Sequence, residues 1–209
     1  MLVASSACSP TWSPDGMKLL YFSDDVPCNA DRGGLLGEPG YQRLYRIDAD
    51  GSDRRLLADG SFGGAARSPD GRQLAVSTNC DVRHAGDWFC SVALMDPDGT
   101  RTRLVENSYG GWVEWVAGGK EVLWPDFPAL YRTDVSSGRT RSILPRTYKS
   151  DAPLGISRDG KRLAVARLVW RNTYWALRSP RIIAISGQLL QRITVPKGWR
   201  YDEISVHVP

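Results

Sequence analysis

The sequence of 209 residues lacks the marks of several protein classes. No apolar run approaches the roughly 20 residues that a membrane-spanning helix needs, and no apolar pattern with a helical period is long enough to predict a substantial helix. The net charge of +4 is spread along the chain without a Lys/Arg block, so we expect no nucleic-acid surface. Neither a phosphate loop nor a dinucleotide fingerprint is present. A globular β protein is the class that remains.

Metal ligands and activated nucleophiles are also scarce. The chain has only two histidines, His84 and His207, and no Cys-x-x-Cys pair, so we expect no zinc site. The oxygen-rich segment 24–34 lacks the ligand spacing of an EF-hand, and a solvated loop is the simpler interpretation. Ser157 lies in a stretch that begins like a nucleophile elbow, but Asp159 stands where that turn needs Gly. We therefore predict no catalytic residue, no metal and no cofactor.

The four cysteines bear on the cellular compartment. Cys80 and Cys90 flank a predicted loop between two strands, where their Cα atoms could approach disulfide distance. A bridge there would indicate an extracytoplasmic protein, periplasmic or secreted, whereas four buried free thiols are the alternative. Residues 1–8 end in small residues like the tail of a secretory signal, but they lack its basic start, and an ordinary first strand is the preferred interpretation. A cytoplasmic location is therefore still open at this point.

What the sequence does contain is a repeated turn that leads into an apolar strand. Ser-Pro-Asp-Gly begins at Ser13 and again at Ser68, and looser versions end at Gly119 and Gly160. Pro sets φ for the second turn position, and Gly relieves the fourth. The turn glycines lie 55, 48 and 41 residues apart, at Gly16, Gly71, Gly119 and Gly160. This recurrence predicts four repeated units.

Each unit carries a second hairpin turn, so that it contains four short antiparallel strands. These later turns end at Gly51, Gly99, Gly138 and Gly187. Four antiparallel strands per repeat make a propeller blade. We predict an all-β chain: one β-propeller domain over 1–209 with about four blades visible plus a strand of a fifth. The blades are expected over 8–58, 62–105, 110–144 and 152–194, with the extra strand over 201–208.

The paired motifs resemble the WD-like repeat of TolB-type β-propellers, which also occurs in the propellers of prolyl-oligopeptidase-like enzymes. The resemblance rests on Ser-Pro-Asp-Gly-Lys/Arg-x-Leu-Ala followed by an apolar strand ending in Asp-x-x-Gly, and it covers nearly the whole chain. The third unit has lost Pro and Asp, and the fourth has Arg158 in place of Pro. The resemblance implies six or more blades. We therefore expect an incomplete propeller, an unusually small one, or one completed by a second chain or an oligomer.

Strand parity predicts that both short turns of each unit lie on one face and that the longer insertions share the other, the long-loop face. These insertions are expected over 24–41, 78–89, 125–128 and 167–178. Function usually resides on such loops, and their aromatic and Arg residues are typical of protein or peptide interfaces. The candidate binding residues are Arg83, His84, Asp87, Trp88, Trp112, Asp126, Phe127, Trp170, Tyr174 and Trp175. Packing between blades is the alternative role for about half of them.

The remaining tryptophans beside the turns, Trp12, Trp115 and Trp124, are assigned to the core. The predicted function is a non-catalytic binding or scaffolding propeller with a protein or peptide partner. The alternatives are a propeller enzyme, such as a lyase or hydrolase with a central-channel site, and the propeller portion of a prolyl-oligopeptidase-like peptidase. Carbohydrate recognition through Trp88, Trp170 and Trp175 is a third. The fold alone cannot decide among them.

Overall fold

The computed structural model describes residues 7–23, 40–84, 87–100, 102–109, 112–116, 118–126, 129–144, 151–157, 159–171 and 174–194. Their regular structure is entirely β. Among these residues no helix is long and apolar enough to cross a membrane. The strands are β1 (Ala7–Trp12), β2 (Lys18–Ser23), β3 (Gly40–Asp48), β4 (Arg55–Arg67), β5 (Leu74–His84), β6 (Asp87–Met95), β7 (Arg103–Tyr109), β8 (Glu114–Trp115), β9 (Glu121–Asp126), β10 (Ala129–Asp134), β11 (Thr140–Leu144), β12 (Asp151–Ile156), β13 (Arg162–Arg171), β14 (Tyr174–Ala184) and β15 (Leu189–Arg192).

Antiparallel pairing arranges the strands into four four-stranded units, which we call blades 1 to 4. Blade 1 contains β1, β2, β3 and the first half of β4, and blade 2 contains the second half of β4 with β5, β6 and β7. Blade 3 contains β8 to β11, and blade 4 contains β12 to β15. The predicted all-β propeller architecture is confirmed. The exact blade limits stay a prediction, and the extra strand over 201–208 lies outside the described residues.

Blades 1 and 2 share strand β4. Its first part pairs with β3 from Arg55 to Phe62, and its second part pairs with β5 from Phe62 to Arg67. Blade 3 joins the same sheet through one parallel bridge between Tyr109 and Asp126. The strands of blade 4 form a separate sheet. The outer strand of blade 1 therefore continues directly into the inner strand of blade 2.

The core consists of three apolar clusters, one at each junction between consecutive blades. Side chains alternate across a strand, so neighbouring residues of one blade serve different junctions. In β5, Leu74 and Val76 pack towards blade 1, whereas Ala75 packs towards blade 3. The third cluster joins blades 3 and 4 through Leu123 and Leu163. Within the described residues no cluster joins blade 4 to blade 1.

The turn that opens a blade is held by a serine and an aspartate. The Ser68 hydroxyl donates to Asp70 Oδ1 at 2.7 Å and accepts the backbone N–H of Gln73 at 2.9 Å. Blades 1 and 4 repeat both contacts with Ser13 and Ser157. The Ser68 hydroxyl and the backbone N–H of Arg72 hold the pKa of Asp70 below its usual value. The recurring motif is therefore a hydrogen-bonded turn that closes each strand pair.

The three tryptophans that the sequence assigns to the core differ in their exposure to solvent. Trp115 and Trp124 are only 3% and 4% exposed, as predicted, and the Trp115 indole N–H donates to the Ala66 carbonyl oxygen at 3.1 Å. The prediction for Trp12 is wrong, because this side chain is 55% exposed. Trp115 reaches into the preceding blade, and among the described residues no blade precedes blade 1. Burial of a residue at this position depends on its neighbouring blade rather than on its own strand.

Candidate functional site

Two of the predicted long loops are strands, so the expectation of loops over 78–89 and 167–178 is wrong. In blade 2, β5 runs to His84 and β6 begins at Asp87. In blade 4, β13 runs to Arg171 and β14 begins at Tyr174. Both segments are rich in β-branched and aromatic residues, which favour a paired strand over an irregular loop. The insertions therefore form two long β-hairpins.

These two hairpins extend beyond the shorter hairpin of blade 3. Strand β5 has 11 residues and β13 has 10, against 6 in β9. At about 3.3 Å per residue, the extra length of β5 carries its hairpin roughly 16 Å further than that of blade 3. Blade 3 lies between blades 2 and 4 in the order of the chain. We call the space above blade 3, between the two long hairpins, the hairpin notch.

The backbone positions of most candidate residues lie along this notch. In the blade 2 hairpin, His84 is the cross-strand partner of Asp87, and Trp88 is the partner of Val82. In the blade 4 hairpin, Trp170 pairs with Trp175. Arg83 and Tyr174 lie in the same two hairpins. The structure thus brings seven of the predicted positions to two elements, and their part in binding stays a prediction.

The other three candidates lie elsewhere or outside the described residues. Asp126 ends β9 and pairs with Ala129, which places it at the floor of the notch. Trp112 is half-buried and packs against the third core cluster, in agreement with the alternative packing role. Phe127 and the insertion over 24–39 lie outside the described residues. Asp126 is therefore the candidate that blade 3 contributes to the notch.

A disulfide ties the base of the blade 2 hairpin. Cys80 and Cys90 lie on adjacent strands with their Cα atoms 4.1 Å apart, and their sulfur atoms are bonded. Asn79, with a φ of 53°, lies where the register of β5 against β6 shifts. The Ser61 hydroxyl donates to the Cys80 carbonyl oxygen at 2.8 Å and connects the hairpin to β4. The hairpin is therefore fixed to the blade at the point where it leaves the core.

The blade 4 hairpin carries charge of one sign. Its projecting part, residues 167–178, contains three arginines and no Asp or Glu, the arginines being Arg167, Arg171 and Arg178. Arg178 is exposed, and the Nε atom of Arg167 is buried without a hydrogen-bond partner. Such a concentration of guanidinium groups favours a partner with acidic groups on the side that meets blade 4.

The opposite end of the blades, where the short turns lie, has carboxylates that already have partners. Glu121 accepts from Arg141 at 2.7 Å and lies 3.3 Å from Arg132. Hydroxyl and backbone N–H groups of Ser136 and Ser137 lower the pKa of Asp134. Glu121, Arg141 and Asp134 line a shallow cleft of about 290 Å³. These contacts stabilise turns and strands, and they leave little free charge for a ligand.

One half-buried acid was missed by the sequence analysis. Glu114 lies on the inner strand β8, opposite Leu123, and burial raises its pKa although the Trp115 backbone N–H partly opposes this by donating at 3.0 Å. Alternation with Val113 and Trp115 could have placed it on the other face, but nothing in the sequence indicates its burial. The described residues hold no group of three His, Cys, Asp or Glu side chains that could bind a metal. Among the described residues no second titratable side chain acts on Glu114, and acid–base catalysis needs such a group.

Comparisons with known proteins identify the fold through solved structures. No protein-family model matches the sequence, and no curated protein matches it. A structure reported as TolB from Agrobacterium tumefaciens is 22% identical with a TM-score of 0.58, over 90% of this chain and 61% of that one. A chain of a nidogen/laminin complex is 16% identical with a TM-score of 0.61, over 93% of this chain and 66% of that one.

A third similar structure is itself a propeller domain. The β-propeller domain of the Trilobed protease from Pyrococcus furiosus is 11% identical with a TM-score of 0.57. The alignment covers 90% of this chain and 57% of that one. This chain therefore spans less than two thirds of the length of each of these three chains. What it shares with all of them is the β-propeller fold.

Proposed function

We propose that this chain is a non-catalytic propeller module that binds a protein or peptide in the hairpin notch. The observation that carries the proposal is the unequal length of the hairpins, 11 and 10 residues in β5 and β13 against 6 in β9. Two long hairpins beside a short one make a concave surface on a rigid scaffold, where binding residues are commonly found. The short-turn end offers no comparable surface, because its described carboxylates are engaged.

The composition of the two hairpins supports a polypeptide partner. They contain Trp88, Trp170, Tyr174 and Trp175, and aromatic residues are enriched at the centres of protein interfaces. The three arginines of the projecting blade 4 hairpin, Arg167, Arg171 and Arg178, favour an acidic segment in that partner. One of the three similar structures, the nidogen/laminin complex, is a protein assembly, which is consistent with a propeller that binds proteins.

An extracytoplasmic location forms part of the proposal. The bonded Cys80 and Cys90 support it, because disulfides persist in oxidising compartments and are rare in the cytosol. The similarity to the structure reported as TolB is compatible with such a location. Thiol labelling of the chain in fractionated cells tests the proposed extracytoplasmic location. Free thiols at both positions in the native host would contradict it.

The binding function can be tested with a displayed library of random peptides selected against the full chain. We expect acidic peptides, and we expect Trp175→Ala and Trp88→Ala each to raise their dissociation constants at least tenfold, since hot-spot tryptophans typically cost more than 1 kcal/mol. Trp12→Ala is the matched control, because it removes an exposed tryptophan far from the hairpins. Peptide affinity should be unchanged in this control.

Melting temperatures separate binding from folding. Trp88→Ala and Trp175→Ala should melt within a few degrees of the unaltered chain, since each lies on a hairpin that projects beyond the core. Selected peptides that bind both variants as tightly as the unaltered chain would contradict the proposed site. A large fall in melting temperature would assign the altered tryptophan to packing instead.

A further inference from the structure

Two arginines face each other at the short-turn end of the first core cluster. In blade 1, Arg46 is the cross-strand partner of Leu20, and in blade 2, Arg67 is the cross-strand partner of Leu74. Both leucines belong to the cluster between blades 1 and 2, and residues paired directly across a ladder lie on the same face of the sheet. Arg46 therefore lies on the side of blade 2, and Arg67 lies on the side of blade 1. We call them the facing arginines.

Three nitrogen atoms of the facing arginines are buried and have no hydrogen-bond partner among the described residues. They are Nε of Arg46 and both Nε and Nη2 of Arg67. Nη2 of Arg46 donates to Asp53 Oδ2 at 2.7 Å, whereas Nη1 of Arg67 reaches the Gly71 carbonyl oxygen only at 3.5 Å, beyond the usual length of a hydrogen bond. Buried donors of charged groups are normally hydrogen-bonded, so these nitrogens need acceptors that the described side chains do not supply.

The acids near this pair have other partners. Burial and the charge of Arg46 lower the pKa of the Arg67 guanidinium, and Asp15 opposes this shift only in part. The Asp15 carboxylate accepts from hydroxyl and backbone N–H groups of its own turn. Asp53, which accepts from Arg46, has its other oxygen bonded to Arg55 at 2.7 Å. The described acids therefore neutralise the charge of the facing arginines only in part.

The equivalent positions at the two other described junctions do not hold two cations. In each pair, one residue lies two positions before the residue whose N–H closes a later hairpin turn, and the other lies directly before the one whose N–H closes a blade turn. Between blades 2 and 3 the pair is Leu94 and Trp115, which are 2% and 3% exposed. Between blades 3 and 4 it is Arg132 and Ile156, and Arg132 lies 3.3 Å from Glu121 of its own blade. Apolar packing or an ion pair thus suffices at these junctions.

We propose that the facing arginines bind a free tetrahedral oxyanion, inorganic phosphate or sulfate, between blades 1 and 2. The donor geometry of a guanidinium group matches the oxygens of phosphate, and a tetrahedral anion presents oxygens to cations on two sides. The turns of blades 1 and 2 approach each other beside the pair, since a Cβ at Gly71 would lie 3.7 Å from Pro14 Cδ. The site therefore suits a small inorganic ion rather than the phosphoryl group of a larger molecule.

Isothermal titration calorimetry of the full chain with sodium phosphate, at fixed pH and ionic strength, tests the site. Arg46→Gln and Arg67→Gln should each weaken phosphate binding about tenfold or more, since each removes hydrogen bonds between charged groups. Arg72→Gln is the matched control, because Arg72 carries the same charge at an exposed position beside the blade turn. This control should bind phosphate like the unaltered chain. Sulfate should compete with phosphate, and acetate at the same ionic strength should not.

Three results would overturn the proposal. These are no phosphate binding in the millimolar range, binding that Arg67→Gln leaves unchanged, and phosphoserine that binds as tightly as phosphate, which would place the anion on an open surface. Circular dichroism melts establish that the variants fold. Arg67→Trp is a second variant, which introduces the residue type of the equivalent position in blade 3 and should abolish binding.

The proposal is independent of peptide binding in the hairpin notch. The facing arginines lie at the short-turn end, and the notch lies at the opposite end of the blades. Phosphate and Arg67→Gln should therefore leave peptide affinity unchanged, so the two proposals can fail separately.

Discussion

Ser68 shows what a single hydroxyl does for a blade. Its side chain is buried, donates to Asp70 and accepts the backbone N–H of Gln73. Ser68→Ala leaves that N–H without its partner, and a buried unsatisfied donor costs about 1–3 kcal/mol. We expect the free energy of unfolding, measured in urea, to fall by this amount. Ser52→Ala is the control, because the Ser52 hydroxyl also donates to an aspartate, Asp50, but in an exposed turn where water replaces the lost bond.

A loss of unfolding free energy in Ser68→Ala no larger than that in Ser52→Ala would contradict the role of the buried hydroxyl. The acidic partner responds to pH in a defined direction. Hydrogen bonds lower the pKa of Asp70 in the folded chain, so their contribution is present at neutral pH and is lost as the pH falls through the folded pKa. The difference between Ser68→Ala and the unaltered chain should therefore shrink in strong acid.

The contribution of Glu114 to the stability of the folded chain depends on pH in the opposite direction to that of Asp70. Burial raises its folded pKa, so the folded chain retains the proton longer than the unfolded chain, and stability falls as the pH rises between the two values. Glu114→Gln removes this loss. We expect a higher melting temperature than the unaltered chain at pH 7, and an equal one below about pH 4, where glutamate is protonated in both states.

Glu121→Gln provides the contrast for this prediction. Glu121 lies between Arg132 and Arg141, so removal of its charge should lower the melting temperature at pH 7. If Glu114→Gln were destabilising at neutral pH, the carboxylate would have a binding partner instead of a desolvation penalty. The two glutamates therefore distinguish a buried acid from a paired one within the same blade.

At the scale of elements, the closing turn of one blade packs against the outer strand of the blade before it. A Cβ atom at Gly99 would lie 2.2 Å from the Leu57 carbonyl oxygen, and one at Gly187 would lie 2.9 Å from that of Ile143. The Arg103 guanidinium donates to the Val135 carbonyl oxygen across the remaining described junction. Consecutive blades are therefore joined at their outer edges as well as through the apolar clusters.

Gly99→Ala tests this contact against a matched glycine. Gly99 and Gly118 have φ values of 89° and 92°, but an added Cβ at Gly118 meets nothing within 4 Å. Gly118→Ala should cost about 1–2 kcal/mol for the left-handed backbone. Gly99→Ala should cost about 1–3 kcal/mol more, since the blade 2 turn must move from Leu57. Equal losses of unfolding free energy would show that the turn does not need this close approach.

At the scale of the whole molecule, the order of strands in the blades was predictable, because it depends on turn and strand preferences that act over a few neighbouring residues. Ser-Pro-Asp-Gly turns and the apolar strands after them form wherever they occur, and their recurrence determines the order of strands. The sequence predicts loops over 78–89 and 167–178, because turn-forming residues such as Gly86 and Asn172 lie in them, whereas the β-branched and aromatic residues on either side form the paired strands of the two hairpins. The positions of Trp88 and Trp175 at one end followed from strand parity alone.

Burial that depends on neighbouring blades could not be predicted from any single strand. Trp12 and Trp115 each lie directly before a blade turn, yet one is exposed and the other buried, because among the described residues only Trp115 has a blade before it. The desolvation of Glu114 depends on the pairing of β8 with β9, where Glu114 lies opposite Leu123. The Cys80–Cys90 pairing was one of two alternatives in the sequence, and the adjacent strands that hold it became evident only from the register of β5 with β6.

The continuity of β4 has a consequence for how the molecule opens. Its first half belongs to the ladder of blade 1 and its second half to that of blade 2, and Phe62 pairs in both, so the loss of either ladder frees one end of the strand that supports the other. Blade 4 shares no described ladder with blade 3. Native-state hydrogen exchange should therefore show the amides of β2 to β6 opening as one cooperative unit, and those of β13 and β14 opening separately. The molecule is expected to come apart between its third and fourth blades, while the first two behave as a single folding unit.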